Sequence, residues 1–170
     1  MTTFIALLRA VNVGGTGRLP MHDLKAMCEA AGFLNVRTYI ARGNVVFETP
    51  LSELKVKAAL QRALADYARK PIGVLVRTAA EMEQVLTKNP FAEAAPNRTV
   101  AIFLNEPPPL DTLSGVTGKA DEEIALGRRE IYVRYPNGMG NSKLKITAAS
   151  SGTARNMNTI AKLVELARRV

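Results

Sequence analysis

Val36-Arg37-Thr38-Tyr39-Ile40-Ala41-Arg42-Gly43-Asn44-Val45-Val46-Phe47 reads as two strands folded back on each other. Val36 to Ile40 is rich in β-branched and aromatic residues, and Val45-Val46-Phe47 repeats that chemistry. The four residues between them, Ala41 to Asn44, form a tight connection of hairpin type. This pair decides the fold because of what flanks it. Upstream, the apolar run Phe4 to Val11 predicts a strand, and Gly14 to Gly17 predict a loop that admits positive φ. Pro20 suits the first turn of a helix, and Met21, Leu24, Met27, Cys28 and Ala31 follow at helical spacing up to Gly32. Downstream, Thr49-Pro50 predicts a helix start by cap and first-turn preference. Val56, Ala59, Leu60, Ala63, Leu64 and Tyr67 form its apolar stripe, and Ile72 to Val76 a fourth strand. The order β-α-β-β-α-β is the ferredoxin-like arrangement, two helices on one face of a four-stranded antiparallel sheet, complete within residues 1–78.

Residues 79–170 predict a second, smaller α+β subdomain. Thr78-Ala79-Ala80-Glu81 is a capping box before a short helix that ends at Asn89-Pro90. Thr99 to Leu104 is a strand, Pro107-Pro108-Pro109 a stiff spacer, and Leu110 to Val116 a short helix. Glu123 to Leu126 and Glu130 to Arg134 flank Gly127-Arg128-Arg129 as a hairpin. Ser142 to Ile146 is expected as a helical turn, and Thr153 as the start of a last helix running to about Arg168. Met157, Ile160, Ala161, Val164 and Ala167 form the buried stripe of that helix. The fold class is therefore α+β.

The chain has 170 residues, 47% of them hydrophobic, enough for one core or two small ones. No apolar run reaches transmembrane length, and the N-terminus has no signal-peptide pattern, so no membrane partner is expected. A single cysteine, Cys28, excludes an internal disulfide and points to a reducing compartment, the cytoplasm. The net charge of +8 is uneven. Residues 1–78 hold 11 Lys/Arg against 5 Asp/Glu, residues 79–130 hold 5 against 9, and residues 131–170 hold 7 against 1. Two basic segments flank an acidic one, a distribution that attracts anions if the fold joins the ends.

The polar residues with chemistry to offer lie in three segments. Arg9, Asn12, Gly14, Gly15 and Arg18 surround the first loop, and Arg42 and Asn44 sit in the hairpin turn. Lys143 follows a glycine loop that lacks the phosphate-binding G-x-x-x-x-G-K-[ST] spacing. Thr153, Arg155, Asn156 and Asn158 mark the expected start of the last helix, where free N–H groups and the dipole favour an anion. One histidine and one cysteine give no zinc site and no nucleophile–base pair, so no metal or cofactor is implied. His22 is expected at the surface, and Cys28 in the core. A standard RNA-recognition sheet is not expected, because its strands are short of aromatics.

Arg9-Ala10-Val11-Asn12-Val13-Gly14-Gly15, Val36-Arg37-Thr38-Tyr39-Ile40, Gly43-Asn44-Val45-Val46-Phe47, Tyr135-Pro136-Asn137-Gly138, Ser142-Lys143-Leu144 and Thr153-Ala154-Arg155-Asn156, in this order, resemble the bacterial family called domain of unknown function 1697. The resemblance implies a small cytoplasmic protein with a ferredoxin-like first half, and it implies no activity. The family usually has Trp where this chain has Met157, and a small Ser where it has Arg42.

Three readings follow. In the first, the chain binds a phosphate-bearing ligand, nucleic acid or nucleotide, with the Arg9–Arg18 loop as one wall and the start of the last helix as the other. In the second, it is an enzyme on a small anionic substrate, with Lys143 or Asp23 as acid–base group. In the third, it is a structural or interaction module whose polar signature holds the fold together.

Overall fold

A computed structural model describes residues 1–12 and 18–169 of the chain. Two compact units are present, Met1–Glu83 with Lys162–Val170, and Gln84–Ala161.

The first unit carries β1 (Thr2–Leu8), α1 (Met21–Ala30), β2 (Leu34–Thr38), β3 (Asn44–Thr49), α2 (Glu53–Ala68) and β4 (Val74–Thr78). The sheet order is β2-β3-β1-β4, and every pairing is antiparallel. That is the ferredoxin-like order expected from the sequence. Alternate residues of the strands, among them Phe4, Ala6, Leu8, Val45, Phe47, Val74 and Val76, join Leu24 and Cys28 of α1 and Val56, Leu60 and Leu64 of α2 in one core. Phe33 stacks on Phe47 at 4.3 Å, and Phe4 lies 6.2 Å from Phe47. The strand aromatics are thus spent in the helix-facing core. They are not available for base stacking. The residues between them on the other face, Ile5, Leu7, Val46 and Leu75, are buried as well.

Local chemistry moves several expected boundaries. A bulge between Leu34 and Arg37, with Asn35 at φ +52°, starts β2 two residues early. Ile40 has φ +49° and leaves the strand, so the tight hairpin is a 3-10 turn over Ile40–Arg42 closed by Gly43 at φ +76°. The cap of α2 is Ser52, which accepts from the Lys55 N–H at 3.3 Å, and not Thr49. Tyr67, expected on the buried stripe of α2, is exposed, and its hydroxyl donates to Asp23 at 2.7 Å. The box at the start of α3 (Ala79–Thr87) forms as expected. Thr78 N–H donates to the Glu81 carboxylate at 2.9 Å, and Glu81 N–H to the Thr78 hydroxyl at 3.1 Å.

The second unit carries β5 (Thr99–Phe103), β6 (Val116–Thr117), β7 (Glu123–Leu126), β8 (Glu130–Arg134), β9 (Lys145–Ile146) and β10 (Thr153–Asn156). The chain then enters α4 (Met157–Arg168), whose residues from Lys162 onward belong to the first unit. Its four-stranded sheet has the order β10-β5-β8-β7, again antiparallel throughout. Counted in chain order, both sheets run 4-1-3-2. The crossovers differ. Where the first sheet carries α1 and α2, the second carries 3-10 turns over Thr112–Gly115 and Thr147–Ala149 and the short strands β6 and β9, which pair with each other. Gly118 lets these crossovers touch: it has φ +69°, and a Cβ there would lie 2.0 Å from the Lys143 carbonyl oxygen.

Three expectations in this unit are corrected. Leu110 to Val116 is a 3-10 turn leading to a strand, with Leu110 fully exposed and so without a helical stripe to anchor it. Ser142 to Ile146 contains β9 and no helical turn, because Lys145 and Ile146 pair with β6. Thr153 does not open the last helix. Thr153–Asn156 is strand β10, paired with Val100–Phe103 of β5, and α4 begins at Met157. On α4, Met157, Ile160, Leu163, Val164 and Ala167 are buried, whereas Ala161 is exposed.

Candidate functional site

The antiparallel register places the ends of several segments side by side. Leu7 faces Asn44, Leu8 faces Val74, and Thr38 faces Val45. The exit of β1, the turn before β3 and the loop before β4 therefore share one end of the first sheet.

Asn12 organises this end. Its Nδ2 donates to the Leu19 carbonyl at 2.8 Å and to the Ala41 carbonyl at 3.1 Å, and its Oδ1 accepts from Leu19 N–H at 2.6 Å. The residue has φ +56°, a conformation Asn tolerates better than most. Asn44 is fully buried, and its Nδ2 donates to the Tyr39 carbonyl at 3.0 Å, while Tyr39 N–H donates to the Asn44 carbonyl at 3.1 Å. Both asparagines thus hold backbone. Gly14 and Gly15 lie outside the described residues.

The charged residues of this end point outward. Arg9, Arg18 and Arg42 are exposed. Arg9 N–H donates to the Gly73 carbonyl at 2.9 Å, and a Cβ at Gly73 would meet Arg9 Cβ at 3.1 Å, so the arginine lies along the loop before β4. That loop carries two further exposed cations, Arg69 and Lys70. Sequence reasoning missed them because they follow a helix whose other basic residues are solvated. Arg69 is itself the left-handed C-cap of α2, at φ +60°, and Lys70 follows it. Segments 1–22, 37–47 and 67–80 contain no Asp or Glu. The first unit holds 14 Lys/Arg against 8 Asp/Glu, and the second 9 against 7.

A groove of about 550 Å³ opens here, lined by Asn12, Arg18, Leu19, Met21, His22 and Ala41, with Pro20 between them. Pro20 is the N-cap of α1 and supplies no side-chain hydrogen bond to its first turn. His22 is 84% exposed, as expected for a surface residue, with Nε2 at 3.1 Å from Asp23. The Asp23 carboxylate is taken up by His22 and by Tyr67, whose phenol it holds above the usual range. Cys28 is buried, and desolvation, helped by Glu29, pushes its thiol up to about 12. It is a neutral core residue at ordinary pH.

The remaining expected site residues belong to the second unit. Thr153 is buried on β10, and Arg155 Nη1 donates to the Thr153 hydroxyl at 2.8 Å and to the Ala154 carbonyl at 3.0 Å. Asn156 Oδ1 accepts from Thr159 N–H at 2.9 Å and so caps α4, with Asn158 exposed in the same first turn. The expected helix-start arginine is thus a strand residue, and one donor of the helix terminus is filled by protein. Lys143 is exposed at a pocket of about 190 Å³ between the two crossovers, together with Asp121, Glu122, Asn137, Asn141 and Ser142. Glu122 is buried, and its carboxylate accepts from the Ser142 hydroxyl and from Ala120 N–H at 2.6 Å. These bonds, the Ser142 hydroxyl first, hold its carboxyl below the usual range. Among the described residues, no group of three or more His, Cys, Asp or Glu is placed to hold a metal ion, and no helix is long and apolar enough to cross a membrane.

No curated protein matches the chain. Among solved structures it is similar to a conserved bacterial protein, SP0830 from Streptococcus pneumoniae, at a TM-score of 0.81 and 22% identity over 98% of each chain. That likeness concerns the fold. The model of the family described as protein of unknown function (DUF1697) matches residues 1–132, and the chain belongs to that family.

Proposed function

We propose that the protein binds a phosphate-bearing ligand, a nucleotide or nucleic acid, at the basic end of its first sheet. One observation carries this reading. Arg18 is exposed at a groove that also receives the start of α1, a helix with no side-chain cap. A helix N-terminus presents N–H groups and the positive end of its dipole, and an arginine adds a planar fork suited to phosphate. The groove volume falls in the range of small-molecule sites. The single buried cysteine supports a cytoplasmic setting. Titration of the isotope-labelled protein with AMP tests the reading. The amide signals of Leu19, Met21 and His22 shift, and Arg18→Ala abolishes the shift. Silence of these amides at millimolar nucleotide overturns it.

A structural reading is favoured for part of the signature. Asn12 and Asn44 give their carboxamides to main chain. They shape the site, and the arginines around them supply its charge. The enzyme reading has less support, since Asp23 is engaged by His22 and Tyr67 and Lys143 lies in the second unit.

A further inference from the structure

We infer that the partner at this end is the phosphodiester backbone of a single-stranded nucleic acid, and that Arg69 and Lys70 are part of the contact surface. The inference rests on the phosphate-binding reading above and goes further, to the partner and to two residues outside the expected site.

The sheet register sets the layout. Arg9 leaves β1 and lies along the loop before β4, the loop that carries Arg69 and Lys70. Arg42 stands in the turn before β3, whose Gly43 carbonyl accepts from Leu8 N–H at 2.9 Å. Arg18 stands beyond Asn12, whose carboxamide ties Leu19 to Ala41. Five exposed cations thus come from three segments that converge on one sheet end, and those segments contain no acid. A lone phosphate needs one such focus. A spread of cations along a rim instead matches a chain of phosphates at regular spacing, each neutralised with release of a counterion. Tyr39, at the end of β2 beside this rim, is only half-buried and offers one ring to a base. With the other strand aromatics in the core, backbone contact dominates and sequence preference is weak.

The test uses Arg69→Asn with Lys70→Gln in the full chain. Asn keeps the left-handed conformation at position 69, and a thermal melt matching the parent confirms folding. A short labelled single-stranded oligonucleotide and AMP are the two probes. For the oligonucleotide, five contacts predict a log–log salt slope near about −3.5, and the double variant flattens it by about 1.4. AMP binding stays within about twofold, because the groove is unchanged. If the variant binds the oligonucleotide with the parent slope, or if polyglutamate competes as well as the oligonucleotide, the inference is overturned while AMP binding upholds the phosphate reading. If neither AMP nor oligonucleotide binds the parent, both fall.

Discussion

The carboxamide of Asn12 grips the main chain of Leu19 at two points, accepting its N–H at 2.6 Å and donating to its carbonyl at 2.8 Å. The pair mimics one rung of an antiparallel ladder across a seven-residue separation. Asn12→Ala removes both bonds and strands the Leu19 groups, at a cost of about 1–3 kcal/mol. Asn12→Asp keeps the acceptor and turns a carboxylate oxygen toward the carbonyls of Leu19 and Ala41, so it is no milder. Urea midpoints measure both. A residue serving only a ligand would leave them unchanged.

Gly43 is constrained twice. Its φ is +76°, and a Cβ there would stand 2.6 Å from Val11 Cγ2 and 2.7 Å from Leu8 Cβ. Gly43→Ala therefore combines backbone strain with overpacking and destabilises by about 2–4 kcal/mol. Gly138 has a similar φ, +82°, with open space around it. Gly138→Ala therefore costs only the backbone part, and the difference between the two urea midpoints isolates the contact.

Asn156 separates a cap from a ligand contact. As the N-cap of α4, Asn156→Ala costs about 0.5–2 kcal/mol, whereas Asn156→Asp preserves the acceptor for Thr159 N–H and keeps stability near the parent. Thermal melts rank the three. An equal loss in both variants would show that the side-chain oxygen does not hold the helix start.

Glu122 gives the fold an acid limit. Its carboxyl is held below the usual range by the Ser142 hydroxyl and the Ala120 amide. A depressed folded pKa means that the unfolded chain binds the proton first as pH falls. The contribution is present above the ordinary carboxylate range and is lost as pH drops through the lower folded value. Urea midpoints followed downward from neutral pH should fall more steeply for the parent than for Glu122→Gln. Parallel curves would remove Glu122 from the acid response.

The first sheet was legible because its strands are short apolar runs, Phe4 to Leu8 among them, and because Val56, Leu60 and Leu64 repeat as a helix. The second was harder. Its crossovers carry no helical stripe, and β6 and β9 are two residues each, stabilised by pairing with one another across some 28 residues of chain. Thr153-Ala154-Arg155-Asn156 has the polar, cap-forming composition of a helix start, and local propensity yields there to a place beside β5. The polar signature was visible as a set of residues, but their roles were not. Whether an asparagine faces a ligand or a carbonyl depends on which backbone passes it, and Leu19 and Ala41 reach Asn12 only through the fold.

The Arg37 guanidinium on β2 donates through Nη1 to the carbonyl of Leu166, in the last turn of α4 and 129 residues further along the chain. On the ribosome these 129 residues take about 6–26 s to make. For that interval the N-terminal unit exists without its final segment, and Arg37 has no helix end to cap. The unit that begins first is therefore among the last to be finished, and a nascent chain arrested before α4 should leave that edge of the sheet open to chaperone or protease.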